Sequence, residues 1–189
     1  MEGVHYKRLD TPQVDEAGRQ VEVLEFFSYG CSHCNEFEPA LAAWKQTLPD
    51  HVRFRPVPAG LGRAFFQQLA AVFYIADELG VLDQTHNAMF AEIHEKKNRA
   101  IMSREGLAAF FASFGVDEAA FDAAINDPAV QQRFAEGEQA ARAFGLQGVP
   151  MVVVNGKYSV MRNDAVGSYE DLLEVVDFLI AREAAALDG

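Results

Sequence analysis

The sequence contains two cysteines, and both fall in one tetrapeptide, Cys31-Ser32-His33-Cys34. A thiol attacks a disulfide as its thiolate, so a redox pair needs one cysteine exposed and acidified and a second close by to resolve the mixed disulfide. Cys-x-x-Cys at a helix start meets both needs. The unpaired N–H groups and the dipole of the first turn favour negative charge at Cys31, and Cys34, three residues on, faces the same side. His33 can offer a hydrogen bond or a positive charge to the Cys31 thiolate and lower its pKa. Stabilising the dithiol makes the disulfide more oxidising, so this dipeptide points toward a donor of disulfides and away from a reductase with Gly-Pro in the same place.

Half of a zinc site is the competing chemistry, but a closed structural site takes four protein ligands. No second pair of cysteines exists, and His5, His51, His86 and His94 stand at no ligand-like spacing from one another.

The elements that must position the pair can be read around it. Residues 21–28 form an apolar run rich in β-branched and aromatic residues, which predicts a central strand covered on both faces. From Ser32 to about Leu48 the period turns helical, with Phe37, Leu41, Trp44 and Leu48 at spacings of three and four, and Pro39 is expected to kink this helix without ending it. A strand over Val52–Val57 follows, closed by Pro58 and Gly60-Leu61-Gly62.

From Arg63 to Phe144 the spacing is helical throughout, which predicts helices over 63–79, 82–95, 103–114, 117–126 and 127–144. Gly80, Gly115 and Gly145 fit C-terminal caps, Ser103 an N-terminal cap and Pro128 a first turn. Strand periodicity returns at Val149–Val154 and Lys157–Met161 around Asn155-Gly156, a strong hairpin signal, and an amphipathic helix from Tyr169 to about Ala186 closes the chain. The order β-α-β, helical block, β-β-α predicts an α/β protein with a thioredoxin-like fold around a central mixed sheet. Residues 1–62 and 145–189 would form that domain and 63–144 an inserted all-helical domain.

The 189 residues suit one domain with an insertion. Sixteen Lys and Arg against 28 Asp and Glu leave a net charge of −12, which disfavours nucleic acid and anionic membranes as partners. Lys96, Lys97 and Arg99 read as a solvated helix end. The longest apolar run, Leu69–Ala76, is far shorter than the eighteen or so residues of a membrane span, and residues 1–8 lack the apolar core of a secretory signal. That start fits a cytosolic protein or a mature, processed one.

The stretch Glu25-Phe26-Phe27-Ser28-Tyr29-Gly30-Cys31-Ser32-His33-Cys34, together with Gly148-Val149-Pro150 and Asn155-Gly156-Lys157-Tyr158, resembles the DsbA family of bacterial thiol:disulfide oxidoreductases over nearly the whole chain. The resemblance implies a protein dithiol oxidase with Cys31 as nucleophile, Cys34 as resolving thiol and His33 stabilising the Cys31 thiolate. It implies a cis peptide at Val149-Pro150 facing the cysteines and offering backbone to an extended substrate. No cofactor beyond the Cys31–Cys34 disulfide is expected. The implied partners are reduced, unfolded secreted proteins and a DsbB-like, quinone-linked membrane oxidase, and the implied setting is the periplasm, as a mature form and a monomer.

Glu25 falls on the strand face of Val21, Val23 and Phe27, where a charge is costly. It resembles the family's buried acid, and the expectation is that it relays the proton of Cys34. The competing reading is a carboxylate at a strand end with access to water. Glu38 matches a second family acid but is expected to be solvated, as most helix carboxylates are. Arg55–Gly60 carries two prolines and no lysine, unlike some members, which leaves lysine-assisted proton transfer without a donor there.

Phe65, Phe66, Phe73, Tyr74, Phe110, Phe111 and Phe114 are expected to be core, with a few bordering the active site. Met161, Val166 and Tyr169 are candidates for a peptide groove. The remaining alternatives are a reductase or isomerase of the same superfamily, a metal-binding or redox-inactive interaction domain, and a glutathione-linked relative. An intact cysteine pair argues against the last two classes. Isomerases usually add a dimerisation domain, for which the segment before residue 20 is too short.

Overall fold

The computed structural model describes residues 1–10, 12 and 20–187, so the polar stretch before residue 20 lies partly outside the described residues. The chain divides into two compact units. The first comprises Met1–Phe27, Glu36–Val57 and Ala141–Gly189, the second Ser28–Asn35 and Pro58–Ala140.

The strands are β1 (Lys7–Arg8), β2 (Val21–Phe27), β3 (Val52–Pro58), β4 (Met151–Val154) and β5 (Tyr158–Val160), joined in one five-stranded sheet in the order β1-β5-β4-β2-β3. The register of β2 on β4 is antiparallel, with Val23 opposite Val154 and Glu25 opposite Val152. Asn155 and Gly156 both take positive φ, 49° and 61°, and Lys157 N–H bonds to the Val154 carbonyl at 3.0 Å. Positive φ at both central residues is the tight turn that matches strand twist, which is why Asn-Gly serves here.

Strand β1 carries no sequence period and was not foreseen. It pairs antiparallel with β5 at Lys7–Ser159 and Arg8–Tyr158 and ends the sheet with two charged residues, a pattern that discourages further strand pairing.

One face of this sheet is closed by helices α1 (Ser32–Lys45) and α7 (Tyr169–Leu187). Phe37, Leu41 and Trp44 from α1 and Leu172, Val176 and Leu179 from α7 share a buried cluster with Val21, Val23, Val152, Val154 and Val160. Helix α1 continues through Pro39. Trp44 Nε1 donates to Asp177 Oδ1 at 2.7 Å, tying α1 to α7.

Under the hairpin, Glu183 of α7 is 3% exposed and accepts from Asn155 Nδ2 at 2.7 Å and Lys157 Nζ at 2.5 Å. Burial pushes its carboxyl up, but the hydrogen bonds from Lys157 and Asn155 win and hold it below the usual range. Its contribution is therefore present above the ordinary carboxylate pKa and lost as the pH falls through the depressed one. Glu183→Leu is expected to cost about 2 kcal/mol in urea unfolding at neutral pH and less in acid, because it strands a buried amide and removes charge-assisted bonds.

The second unit is helical: α2 (Ala64–Glu78), α3 (Leu82–His94), a 3-10 turn at Arg99–Met102, α4 (Arg104–Ala112), α5 (Glu118–Ile125) and most of α6 (Pro128–Ala143). Ser103 Oγ caps α4 by accepting from Gly106 N–H at 3.0 Å, and Asp117 caps α5 through Ala120 N–H at 2.8 Å. Gly80 and Gly115 take φ of 68° and 86°, as helix-ending glycines do. Arg133 of α6 donates to Asp77 at 2.6 Å and Glu78 at 2.7 Å on α2.

The 3-10 turn is too short to show a period and was not expected. It packs so closely on α4 that a Cβ at Gly106 would lie 1.8 Å from the Ala100 carbonyl oxygen. Gly106→Ala is expected to lower stability by about 1–3 kcal/mol in thermal or urea unfolding, since backbone must move to admit the methyl.

Phe73, Tyr74, Phe110 and Phe111 are buried as expected, but Phe65 is 45% exposed and Phe66 and Phe114 are half-buried. Phe65 shares the helical stripe of Leu69, Val72 and Ala76, but it stands in the first turn of α2, ahead of the buried stretch that begins at Leu69, so spacing alone does not bury it. Among the described residues, no helix is long and apolar enough to cross a membrane.

Candidate active site

Strand β2 ends at Phe27, and Ser28, Tyr29 and Gly30 carry the chain to Cys31. Cys31 N–H donates to the Ser28 carbonyl at 3.0 Å, and the Cys31 carbonyl accepts from Asn35 N–H at 3.1 Å. Cys31 therefore occupies the cap position of α1, directly before the helix start at Ser32. A cap side chain accepts from the backbone N–H groups two and three residues on, which here belong to His33 and Cys34.

Those donors set the acidity of the nucleophile. The Cys34 thiol hydrogen bond is the largest influence on Cys31, burial opposes it, and the backbone N–H groups of Cys34 and His33 follow, with the charge of His33 last. The sum lowers the Cys31 pKa to about 6. Cys31 is partly exposed and Cys34 is buried, the division of labour that attack and resolution require. His33 acts here through its backbone before its imidazole, an order that residue type alone does not reveal. Alkylation of the reduced protein by iodoacetamide, followed against pH, is expected to rise through a midpoint near pH 6, two or more units below an ordinary cysteine.

A Cβ at Gly30 would lie 2.6 Å from the Phe66 ring and 2.7 Å from the Phe65 ring, so any larger residue before the nucleophile would have to displace those rings. These two aromatics thus border the cysteine loop, as expected for a few of the set.

In the first unit, Glu25 is 1% exposed, and its Oε1 has no hydrogen-bond partner among the described residues. Burial raises its pKa well above the usual value, the charge of Glu38 raises it further, and Lys45 opposes them. Burial removes the reading of Glu25 as a water-exposed strand end. Glu38 also departs from expectation: it is 7% exposed rather than solvated, because its position on α1 turns toward the sheet with Phe37 and Leu41. Lys45 was not singled out in the sequence, though it lies seven residues after Glu38 on the same helix face; its Nζ sits 5.4 Å from the centroid of the Phe54 ring.

The Val149-Pro150 peptide is cis, as the resemblance implies. Met161 lines a cavity of about 500 Å³ with Phe144 and Met151. Val166 is 1% exposed inside the core, so it cannot line an open groove, whereas Tyr169 is half-buried and stacks on Phe37 at 4.9 Å. Hydrophobic alternation ends at the hairpin, which left no signal to tell these three apart. Among the described residues, no group of three or more His, Cys, Asp or Glu is placed to hold a metal ion.

A thioredoxin-like core with a helical insertion and an acidified Cys-x-x-Cys at a helix cap defines a thiol:disulfide oxidoreductase. Residues 22–174 match the family described as DSBA-like thioredoxin domain. The thiol:disulfide interchange protein DsbA of Pseudomonas aeruginosa PAO1 is 35% identical over 97% of this chain and 86% of its own, and that of Azotobacter vinelandii is 36% identical over 97% and 85%. The crystal structure of Pseudomonas aeruginosa DsbA superposes with a TM-score of 0.91 at 34% identity, covering 100% of this chain and 97% of that one. The chain belongs to the DsbA family, and it is a periplasmic dithiol oxidase whose redox centre is its own cysteine pair.

Proposed function

We propose that this oxidase donates the Cys31–Cys34 disulfide to reduced proteins folding in the periplasm and is itself reoxidised by a DsbB-like, quinone-linked membrane protein. A substrate thiolate attacks Cys31 Sγ, the Cys31–Cys34 bond breaks, and Cys34 leaves as a thiolate that takes up a proton. A second substrate thiolate attacks the substrate sulfur of the mixed disulfide, and Cys31 departs as a thiolate. The substrate loses two electrons and the enzyme gains them. The observation that carries this reading is the place of Cys31 at the cap of α1, partly exposed beside the buried Cys34, where the Cys34 thiol and the helix-start N–H groups lower its pKa to about 6 and so make it a good leaving group and stabilise the reduced enzyme.

In the same reading Glu25 carries the proton of Cys34. Its buried carboxyl, raised well above the usual value by burial, holds a proton more tightly than an exposed carboxylate does. Val149 and Pro150 belong to the substrate-binding loop by the family resemblance, and residues 63–144 are read as the inserted domain, most of which falls in the second unit's Pro58–Ala140.

The deciding measurement is the equilibrium of the pair with glutathione. A strongly oxidising potential supports disulfide donation, and one as reducing as thioredoxin would falsify it in favour of a reductase. If Glu25→Gln leaves the pH dependence of disulfide release unchanged, the relay fails independently of the oxidase reading.

A further inference from the structure

Tyr29 stands two residues before the nucleophile, is 1% exposed, and is gripped by one face of α3. Its backbone carbonyl is 2.7 Å from His94 Nε2, and its phenol oxygen is 2.8 Å from His86 Nδ1. Between the two histidines, one helical turn from each, Phe90 meets the Tyr29 ring edge-on at 5.0 Å. His86 packs on the same ring at 5.3 Å. Ring, hydroxyl and carbonyl of a single residue are thus all held by positions 86, 90 and 94.

A carbonyl only accepts, so His94 carries a proton on Nε2 and donates it to Tyr29. This bond forms with His94 neutral or charged. The bond to His86 also survives either state, since the phenol donates to a bare Nδ1 and accepts from a protonated one. The arrangement is a fixed support rather than a switch.

What it supports is the direction of a dipole. Cys31 owes its low pKa partly to backbone N–H groups at the start of α1, and a carbonyl turned toward the same sulfur would oppose them. The Tyr29 carbonyl is the second upstream of Cys31, and Gly30 between them imposes little backbone restraint of its own.

We propose that His94, seconded by His86, is a positioning residue for the redox pair, binding the Tyr29 carbonyl so that the loop presents Cys31 to donors alone. The inference rests on Cys31 being the nucleophile. His94 touches no reacting atom and acts through Tyr29.

The test compares reduced wild-type protein with His94→Leu, which keeps an apolar side chain beside Phe90, and His94→Gln, whose amide N–H can reach the same carbonyl. Two readouts are taken, the glutathione equilibrium and the ultraviolet titration of the Cys31 thiolate. Loss of the bond in His94→Leu is expected to shift the equilibrium about fivefold toward the disulfide and raise the thiolate midpoint, in proportion to about 1 kcal/mol for one hydrogen bond. His94→Gln is expected to restore both.

A folded His94→Leu with wild-type equilibrium and titration overturns the proposal, even if it is less stable. So does a His94→Gln as altered as the leucine variant. Should His94→Leu not fold, His86→Phe decides: it keeps a ring against Tyr29 and Phe90, is expected to shift both readouts in the same direction, and overturns the proposal if neither moves. The wild-type potential and Cys31→Ser test the oxidase reading itself, so the two failures are separable.

Discussion

Replacing Cys31 by serine is expected to lower the rate of disulfide donation to a reduced peptide by on the order of a thousandfold or more, because a hydroxyl neither forms a mixed disulfide nor leaves as a stabilised anion. The companion substitutions at Cys34 separate its two duties. With oxidised glutathione, Cys34→Ser and Cys34→Ala both accumulate a mixed disulfide at Cys31, since no neighbouring thiol displaces it, and mass spectrometry of the intact protein shows one glutathione per chain.

The two Cys34 variants part company in acidity. The Cys34 side chain is the largest contributor to the Cys31 pKa of about 6. Serine keeps a donor at that place and alanine does not, so the alkylation midpoint of Cys34→Ala is expected above that of Cys34→Ser. Equal midpoints would remove the Cys34 hydrogen bond from the account and leave the acidity to the backbone N–H groups of the helix start and the charge of His33.

Glu25→Gln is expected to have the second large effect, on stability as a function of pH. An acid whose folded pKa is raised binds protons more tightly in the native state, so stability is greatest in acid and declines as the pH rises from the unfolded pKa through the folded one. The burial of Glu25, with the charge of Glu38 beside it, therefore makes the wild type lose stability as the pH rises from about 4, the ordinary carboxylate range, through the raised pKa. The glutamine variant lacks this component.

Urea unfolding from pH 4 to 8 is expected to show the wild-type advantage over Glu25→Gln shrinking or reversing as the pH rises. A pH-independent difference would mean that Glu25 has the same proton affinity folded and unfolded. Lys45 works against the shift, so Lys45→Met is expected to steepen the wild-type decline.

Much of this architecture is legible in the sequence because its signals are local. Asn155-Gly156 specifies its turn by the φ values those residues tolerate, Ser103 and Asp117 satisfy helix N–H groups within their own turn, and Cys-x-x-Cys announces redox chemistry by spacing alone. The features without such a signal went unread. Strand β1 is two residues held by pairing with β5, and the turn at Arg99–Met102 is held by its packing on α4.

Side-chain burial shows the same limit. Phe65 and Phe66 are identical in type and adjacent, yet one is exposed and the other half-buried, and Glu38 is hidden although helix carboxylates usually face water. Helical spacing tells which residues share a face but not which face meets the sheet.

The sequence by itself determined the kind of protein this is: the order of its elements, a redox pair with no structural competitor for its cysteines, and an acid placed on an apolar strand face. Only the tertiary structure decided how that pair is tuned. The Lys45 charge that tempers Glu25 and the histidines of α3 that hold Tyr29 come from segments up to 65 residues away, and hydrogen bonds and charges act through space rather than along the chain.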